Sequence, residues 1–242
     1  MQLRIVVANI QSGIKITKGY RQYVTSGWRY LLPHKSEGAI DAGTFLRAEA
    51  ADIALLTEVD GGSRRSRGLS QLDAIALESG LARTRFFPTR VVGASIQEGN
   101  ALASRFPITA HGAHPLTSRV NPRVLGETAL EIDGTRVNVF VAHLALNGAY
   151  RELQIREIAE RIESTEGPVL LGGDFNARDH SLFAHLKRVG LVPVSAPGYP
   201  SWKPRYALQA LFLSRHFRVL RAGVPEGAAF SDHLPLVVTA EL

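Results

Sequence analysis

The sequence predicts one α/β domain spanning residues 1–242. Strand-length apolar runs alternate along the chain with segments of helical periodicity, and the pair Asp133-Gly134 marks a hairpin between two of the runs. No Gly/Ser-rich linker, low-complexity segment or internal repeat divides the chain. Hydrophobic residues make up 45% of the chain and charged residues 21%, which is ordinary for a globular protein and supports a sizeable core.

Short apolar and β-branched runs predict the strands, and helical periodicity predicts the helices. The predicted strands are Leu3–Ala8, Ile53–Leu56, Thr84–Thr89, Ala101–Ala103, Leu125–Ile132, Arg136–Val141, Val169–Leu171, Ala207–Leu213, Phe217–Ala222 and Val237–Ala240. The predicted helices are Ala39–Ala51, Leu69–Ser79, Ala149–Glu163 and Ser181–Val189. Two stretches, Gln11–Gly38 and Pro193–Tyr206, are interpreted as long irregular loops.

The most informative stretch is PVLLGGDFNARD at residues 168–179. Its apolar run predicts a buried strand, and Asp174 and Asn176 follow at positions i and i+2, which places both on one face of an extended chain. Such a pair can hold a hard cation, a water or a phosphate oxygen. It can equally form a simple Asx turn. Other polar strand ends are therefore needed to decide between a site and a turn.

Further polar residues do occur where apolar runs meet loops. They are Asn9, Glu58, His143, Asp232 and His233. Taken singly, each has a plain alternative: a turn residue, a glutamate emerging into solvent, or a satisfied core histidine. A carboxylate at the end of a buried strand is costly unless a cation or hydrogen bonds meet it. The repetition of polar strand ends therefore favours one shared site.

The residue types at these strand ends indicate a hydrolytic chemistry. Carboxylates and amides without any cysteine suit Mg²⁺ or Mn²⁺ as a cofactor. Two histidines suit contacts to a phosphoryl oxygen and proton transfer. Such a set predicts hydrolysis of a phosphate ester by water. The chain has no P-loop, HExxH motif, GxSxG elbow or dinucleotide fingerprint, so those chemistries lose support.

Two basic segments are candidates for substrate contact. In Gln11–Gly38, tyrosines and a tryptophan alternate with lysines and arginines, a pattern that either stacks bases and holds phosphates or folds a loop onto the protein. The loop GGSRRSRG carries Arg64 and Arg65, which either contact phosphate or remain solvated. The predicted substrate-binding residues are Arg64, Arg65, Asn100 and Trp202.

The net charge and the N-terminal sequence restrict the kinds of partner and the cellular compartment that we expect. The net charge of +6 favours an anionic partner such as nucleic acid, a phosphorylated metabolite or lipid headgroups, although arginine-rich composition alone produces the same charge. No run is long enough to span a membrane, and the N-terminus runs directly into a strand without a secretory signal pattern. We therefore expect a cytoplasmic protein and a monomer.

The ordered motifs resemble the endonuclease/exonuclease/phosphatase superfamily. The matching segments are ANIQ, LLTEVD, GNALASRFPI, VFVAHL, LLGGDFNA and SDHLPL, and they span nearly the whole chain in the superfamily's order. The resemblance implies a four-layer α/β sandwich, with two packed mixed β-sheets flanked by helices. It also implies that the site lies at one edge of the sandwich.

The resemblance further implies roles for the strand-end residues. Glu58 is similar to the main metal ligand, with Asn9 and Asp232 supporting the ion directly or through water. Asp174 is similar to the residue that orients or deprotonates the attacking water. The phosphate would contact the remaining members of the set, which are Asn176, His143 and His233. Glu98 lies where some relatives place a partner for the first histidine.

One position departs from the superfamily's pattern. An aspartate within a late strand usually orients the histidine of Ser-Asp-His, and Gln209 holds that place here. Two accounts follow. In the first, the Gln209 amide still accepts a hydrogen bond from His233 and the enzyme is active. In the second, the chain is a weakened or silent binding module. The remaining motif residues are intact, which favours activity.

The predicted function is a Mg²⁺- or Mn²⁺-dependent phosphodiesterase. The basic charge and the aromatic-rich Gln11–Gly38 segment favour nucleic acid as substrate. A lipid or small-metabolite phosphoesterase of the same superfamily is the alternative, because the same aromatic segment can insert at a lipid interface.

Overall fold

Two six-stranded mixed β-sheets form the centre of the molecule, for which a computed structural model describes all 242 residues. The strands are β1 Gln2–Asn9, β2 Ile53–Asp60, β3 Arg83–Val92, β4 Ile96–Ser104, β5 Ile108–Leu116, β6 Arg123–Ile132, β7 Thr135–His143, β8 Val169–Asp174, β9 Leu191–Ser195, β10 Gln209–Ser214, β11 Arg218–Gly223 and β12 Leu236–Glu241. The first sheet has the order β11-β12-β1-β2-β4-β3, and the second has the order β5-β6-β7-β8-β10-β9.

Helices cover the outer faces of the two sheets. They are α1 Arg21–Ser26, α2 Glu37–Ala48, α3 Gln71–Ser79, α4 Gly148–Glu163 and α5 Ala184–Arg188. Apolar residues of α2 and α3 pack with the outward side chains of the first sheet, and those of α4 and α5 pack with the second. The predicted α/β sandwich of two packed mixed sheets flanked by helices is confirmed.

The inner faces of the sheets share one apolar core. Along β1, Leu3, Ile5 and Val7 point into this core, whereas Val6 and Ala8 point outward to the helices. This alternation is the two-residue period of a strand whose two faces are both buried. It explains why the sequence of β1 is apolar in both phases.

Two irregular stretches contain more regular structure than the sequence predicts. The Gln11–Gly38 stretch holds α1, two 3₁₀ turns and the start of α2. The Pro193–Tyr206 stretch begins inside β9, which pairs with β10 at the edge of the second sheet. Helix α1 and strand β9 are short and lack a clear apolar periodicity, because an edge strand and a very short helix each bury only a few side chains.

The parallel strand pairs bring the predicted site residues to one edge of the sandwich. Strands β1 and β2 are parallel, as are β7 and β8, so each pair ends at the same edge. Within the second pair, His143 lies directly opposite Asp174. Gly173 permits this close pairing, because its φ is +147° and a Cβ there would overlap the carbonyl oxygen of Ala142.

No helix of the protein is both long enough and apolar enough to cross a lipid bilayer.

Candidate active site

A cavity of about 630 Å³ opens at the edge where the parallel strands end. Its lining residues come from both sheets and from the loops that follow their strands. They are Tyr30, Glu58, Arg90, Glu98, Arg123, His143, Leu146, Arg151, Asp174, Asn176, Arg178, Asp179, Tyr199, Leu208, Asp232 and His233. Six of the seven predicted strand-end residues thus share one cavity, and the seventh, Asn9, hydrogen-bonds to two of them.

Asp174 occupies the centre of this arrangement. Its side chain is buried and accepts hydrogen bonds from Asn9 Nδ2 at 3.1 Å and from the backbone N–H of Asn176 at 2.9 Å. Burial by itself would raise the pKa of Asp174, but the attraction of His233 and the hydrogen bonds from Asn9 and Asn176 outweigh it and hold the pKa below its ordinary value. Asp174 is therefore an anion, fixed in orientation, at the junction of the two sheets.

Glu58 lies near Asp174, in surroundings that disfavour the ionised form of its carboxyl group. A bulge in β2 and a left-handed backbone, with φ of +54°, turn its side chain into the cavity. Burial, followed by the charges of Glu98 and Asp232, raises the pKa of Glu58 to about 8. Its Oε1 accepts a hydrogen bond from Asn9 Nδ2 at 3.0 Å. The cavity floor therefore carries more negative charge than the protein itself neutralises.

The segment Ser231–His233 is tied to the end of β1 and to helix α1. Ser231 Oγ donates to the carbonyl oxygen of Asn9 at 2.6 Å and accepts from the N–H of His233 at 3.0 Å. Asp232 accepts a hydrogen bond from the Tyr23 hydroxyl of α1. Burial raises the pKa of Asp232 above its ordinary value. His233 Nδ1 lies 3.7 Å from Asp174 Oδ2.

His143 is held as a neutral ring. Burial, with the adjacent positive charge of Arg123, lowers the pKa of His143 to about 3. Asn176 Nδ2 lies 3.0 Å from His143 Nε2, so the amide donates to the ring nitrogen. Asn176 also donates to the carbonyl oxygen of Leu144, and its φ of +50° is a strained backbone conformation. The pair forms a rigid polar wall of the cavity.

The four predicted substrate-binding residues do not gather in the cavity. Arg64 is exposed and does not line it. Arg65 is 1% exposed and bonds to Asp60 through Nε at 3.0 Å, so this arginine fastens its own loop and cannot present a free guanidinium. Asn100 is buried and donates to the carbonyl oxygen of Val124. Trp202 packs edge-on against Tyr20, with 5.1 Å between ring centroids.

Four other arginines line the cavity and were not predicted from the sequence. They are Arg90, Arg123, Arg151 and Arg178. Arg123 Nε is buried and has no hydrogen-bond partner. Because this guanidinium stands next to His143 in the cavity, it is the clearest candidate for an anion contact. Arg123 begins β6, where nothing in the local sequence distinguishes it from a surface arginine.

The oxygen donors of the cavity floor fit a divalent cation. No group of three or more histidine or acidic side chains stands ready to enclose an ion. Mg²⁺, however, commonly binds one or two carboxylates and keeps several waters. Glu58 and Asp232, supported by Asn9, offer hard oxygen donors, and because burial raises the pKa of both carboxyl groups, a nearby positive charge would favour their ionised forms.

Gln209 has a structural role that its sequence position does not suggest. In the orientation that pairs both ends of its amide, Gln209 donates to the carbonyl oxygen of Leu234 at 2.7 Å and accepts from the N–H of Asn9 at 2.5 Å. The side chain therefore joins the backbone of β1 to the segment after His233. The expected hydrogen bond from His233 to this amide is not present, and the ring faces Asp174 instead.

Gln209→Asp is therefore expected to destabilise the protein without raising turnover. An aspartate is shorter and cannot donate, so the Leu234 carbonyl oxygen and the Asn9 N–H lose their partner. The expected loss in the free energy of unfolding is about 1–3 kcal/mol, measured by urea unfolding. Gln209→Glu, which keeps the length and the acceptor, should lose less. A rise in turnover of the aspartate variant would contradict this account and favour a disarmed enzyme.

Comparisons with known proteins agree with this geometry. The model of the Endonuclease/Exonuclease/phosphatase family matches residues 8–233. No curated protein sequence matches the chain significantly. Among solved structures, an endonuclease/exonuclease/phosphatase from Beutenbergia cavernae is similar over 100% of this chain and 72% of its own, with 20% identity and a TM-score of 0.79.

Two further solved structures have similar folds. A mannosyl-6-phosphatase from Bacteroides thetaiotaomicron matches 99% of this chain and 100% of its own, at 15% identity and a TM-score of 0.75. The human Nocturnin catalytic domain with bound sulfate matches 99% of this chain and 93% of its own, at 22% identity and a TM-score of 0.72. At these identities the likeness concerns the fold alone.

Proposed function

Because the chain belongs to the Endonuclease/Exonuclease/phosphatase family, we propose that its cavity hydrolyses a phosphodiester with Mg²⁺ or Mn²⁺ as cofactor. The coarser statement, a phosphoesterase of this superfamily, follows from membership. The observation that carries the finer proposal is the Asp174 carboxylate, a buried anion oriented by two hydrogen bonds and flanked by two histidines and an arginine.

In the proposed reaction, Asp174 receives a proton from the attacking water. Its two oxygens are held by Asn9 and the backbone of Asn176, so the free lone pairs face the cavity. The water oxygen attacks phosphorus as its proton moves to the carboxylate, and the bond from phosphorus to the leaving oxygen breaks. The leaving alkoxide takes up a proton from bulk water and Asp174 releases its own proton to solvent, so the products are a phosphomonoester and an alcohol.

Phosphate oxygens would be held by the wall opposite Asp174. His233 offers a ring N–H donor and Arg123 offers its guanidinium, whereas both amide hydrogens of Asn176 are already donated to His143 and Leu144. Preorganised donors of this kind stabilise the negative charge that grows on phosphate oxygens in the transition state. The neutral His143 ring keeps Asn176 in place through the contact between Nδ2 and Nε2.

A divalent cation held by Glu58 and Asp232, with Asn9 alongside, would polarise the phosphoryl group as a Lewis acid. This role would explain why Glu58 and Asp232 lie in a cavity that four arginines also line.

The proposal is tested by hydrolysis of bis(p-nitrophenyl) phosphate with Mg²⁺ or Mn²⁺ and with a chelator, for wild type and Glu58→Ala. Turnover that requires the metal and is abolished by Glu58→Ala supports it. Metal-independent turnover, or an unaffected variant, contradicts it. The monoester p-nitrophenyl phosphate, run in parallel, measures the preference between diesters and monoesters.

Nucleic acid is the substrate hypothesis that the charge of the chain supports. The net charge is +6, and four arginines line the cavity. A fish TDP2 structure holds a single-strand DNA product at a TM-score of 0.69 and 14% identity, which is compatible with the hypothesis. Cleavage of plasmid DNA should then fall steeply with salt, because phosphate contacts dominate such binding.

Arg123→Met is expected to lower kcat/KM on the soluble diester by about 10- to 100-fold, mainly through KM. The reason is the loss of a charge-assisted contact to phosphate, worth about 1.5–3 kcal/mol. Steady-state kinetics measure the effect. Arg119→Met, an exposed arginine four positions earlier that does not line the cavity, is the matched control and should differ little from wild type. Equal losses in both variants would point to a general charge effect.

A further inference from the structure

Exposed apolar side chains occur next to the segments that line the cavity. We call this set the apolar mouth; it comprises Tyr20, Val24, Trp28, Leu31, Leu32, Val91, Val92, Val120 and Leu146. It contains more than half of the large apolar side chains that the protein leaves most exposed. Val24, Val120 and Leu146 are 86%, 82% and 77% exposed. Scattered single residues of this kind need no explanation, but a cluster around a site does.

Chain connectivity places the whole set at the cavity. Leu146 lines it directly. Leu31 and Leu32 adjoin the lining residue Tyr30, and Val91 and Val92 adjoin Arg90. The remaining members lie within three positions of Arg123, Tyr30 or Tyr23, whose hydroxyl bonds to Asp232. Three residues of extended chain reach about 10 Å, so every member lies within about that distance of a lining residue or of Tyr23.

The same surface is positively charged. Residues 15–35 contain five lysines and arginines and no aspartate or glutamate. Lys18, Arg21 and Lys35 are exposed among the apolar residues of this segment. The mouth therefore combines apolar contact with an attraction for anions.

This combination matches the chemistry of an anionic membrane surface. Nucleic-acid interfaces are polar and wet, and exposed leucines and valines gain little against phosphates and sugars. At a lipid interface, aliphatic side chains enter the acyl boundary and tryptophan and tyrosine settle at headgroup level. Basic residues near the surface add about 1 kcal/mol each on anionic lipid.

We infer that the apolar mouth docks onto a membrane containing anionic phospholipid, so that the phosphate ester entering the cavity belongs to a lipid headgroup. The inference rests on the proposed phosphodiesterase activity, and it names a lipid, in place of nucleic acid, as the substrate class of the same site. Docking through the mouth orients the cavity toward the bilayer. The headgroup then reaches Asp174 without the acyl chains leaving the membrane.

Vesicle cosedimentation tests the inference with three proteins. These are wild type, the mouth variant Leu31→Ser/Leu32→Ser, and the control Leu77→Ser/Val192→Ser. The control residues are 78% and 60% exposed and do not line the cavity. Vesicles of phosphatidylcholine with about one third phosphatidylglycerol should bind wild type and control alike. The mouth variant should bind about tenfold more weakly, since two inserted leucines are lost. Pure phosphatidylcholine should bind all three weakly.

Tryptophan fluorescence gives a second readout. The chain has two tryptophans, and Trp28 belongs to the mouth while Trp202 packs on Tyr20 of the mouth. Binding to anionic vesicles should shift the emission to the blue, and brominated lipid should quench it. Trp28→Phe should remove most of the shift. An unchanged spectrum with bound vesicles would place another face on the membrane and overturn the inference.

The outcomes separate the inference from the proposed function. Binding requires no turnover, so docked vesicles without hydrolysis of the soluble diester would overturn the proposed function alone. Hydrolysis of the soluble diester without vesicle binding would overturn the inference alone. Binding of single-stranded DNA is measured with the same proteins. If wild type binds the DNA but not the vesicles, and the mouth variant binds the DNA more weakly than wild type does, the mouth binds nucleic acid and the inference is wrong. Circular dichroism confirms that the mouth variant is folded.

Discussion

Asp174→Asn is expected to lower kcat/KM on the soluble diester by about three orders of magnitude. Asparagine keeps the shape of the side chain and one acceptor oxygen, so it retains one of the two hydrogen bonds from Asn9 and Asn176, but its amide cannot take a proton from water. The loss should therefore fall on kcat, with KM nearly unchanged. Steady-state kinetics at saturating Mg²⁺ measure it, and urea unfolding verifies that the variant is folded.

The control for Asp174→Asn is Asp179→Asn. Asp179 also lines the cavity, but its carboxylate caps the turn that begins at His180, a role that asparagine fills equally well. The control should stay within a few-fold of wild type. If the two variants lost activity equally, removal of negative charge from the cavity would explain both, and the role proposed for Asp174 as proton acceptor would fail.

Glu58→Gln is expected to stabilise the protein in a chelator and to abolish its response to Mg²⁺. Burial and neighbouring carboxylates raise the pKa of Glu58 from its ordinary 4.5 to about 8, so its ionised form opposes folding. The favourable contribution is complete below about pH 4.5 and is lost as pH rises towards and through about 8. A neutral amide removes this penalty, and the free energy of unfolding at pH 8 should rise by about 1–3 kcal/mol.

The response of the melting temperature to Mg²⁺ shows whether Glu58 is a metal ligand or only a buried carboxylate with a raised pKa. A cation that binds only the folded state raises the melting temperature of wild type in proportion to the logarithm of its concentration. Glu58→Gln should melt higher than wild type in EDTA and show little further rise with Mg²⁺. Glu160→Gln, an exposed change on α4, should behave like wild type. A normal Mg²⁺ response of Glu58→Gln would exclude Glu58 as a main ligand.

The core strands could be predicted from sequence because their information is local. In β1 and β8, apolar side chains occupy both faces, and the apolar run ends where the strand leaves the core. The Asp133-Gly134 hairpin is equally local, since both residues adopt the positive φ that its turn requires. Polar residues that follow such strands, including Asp174 and Glu58, were therefore recognisable as site candidates before their positions were known.

The arginines that line the cavity could not be predicted, because the environment of an arginine depends on distant parts of the chain. Arg64 and Arg65 are adjacent in sequence, yet one is exposed and the other is buried against Asp60. Arg123 resembles any surface arginine until β6 is packed beside β7 and His143. Nothing local distinguishes an arginine that will meet a buried carboxylate from one that will face a cavity.

The sequence by itself determined the α/β class, the strands and the polar residues at their ends, because periodicity and residue type act within a few positions of one another. The tertiary structure alone decided which side chains meet. It joined Asn9 of the first sheet to Asp174 of the second, turned Gln209 to the backbone at Asn9 and Leu234, and placed four arginines in one cavity. Those contacts depend on sheet packing and strand order, which link residues more than a hundred positions apart.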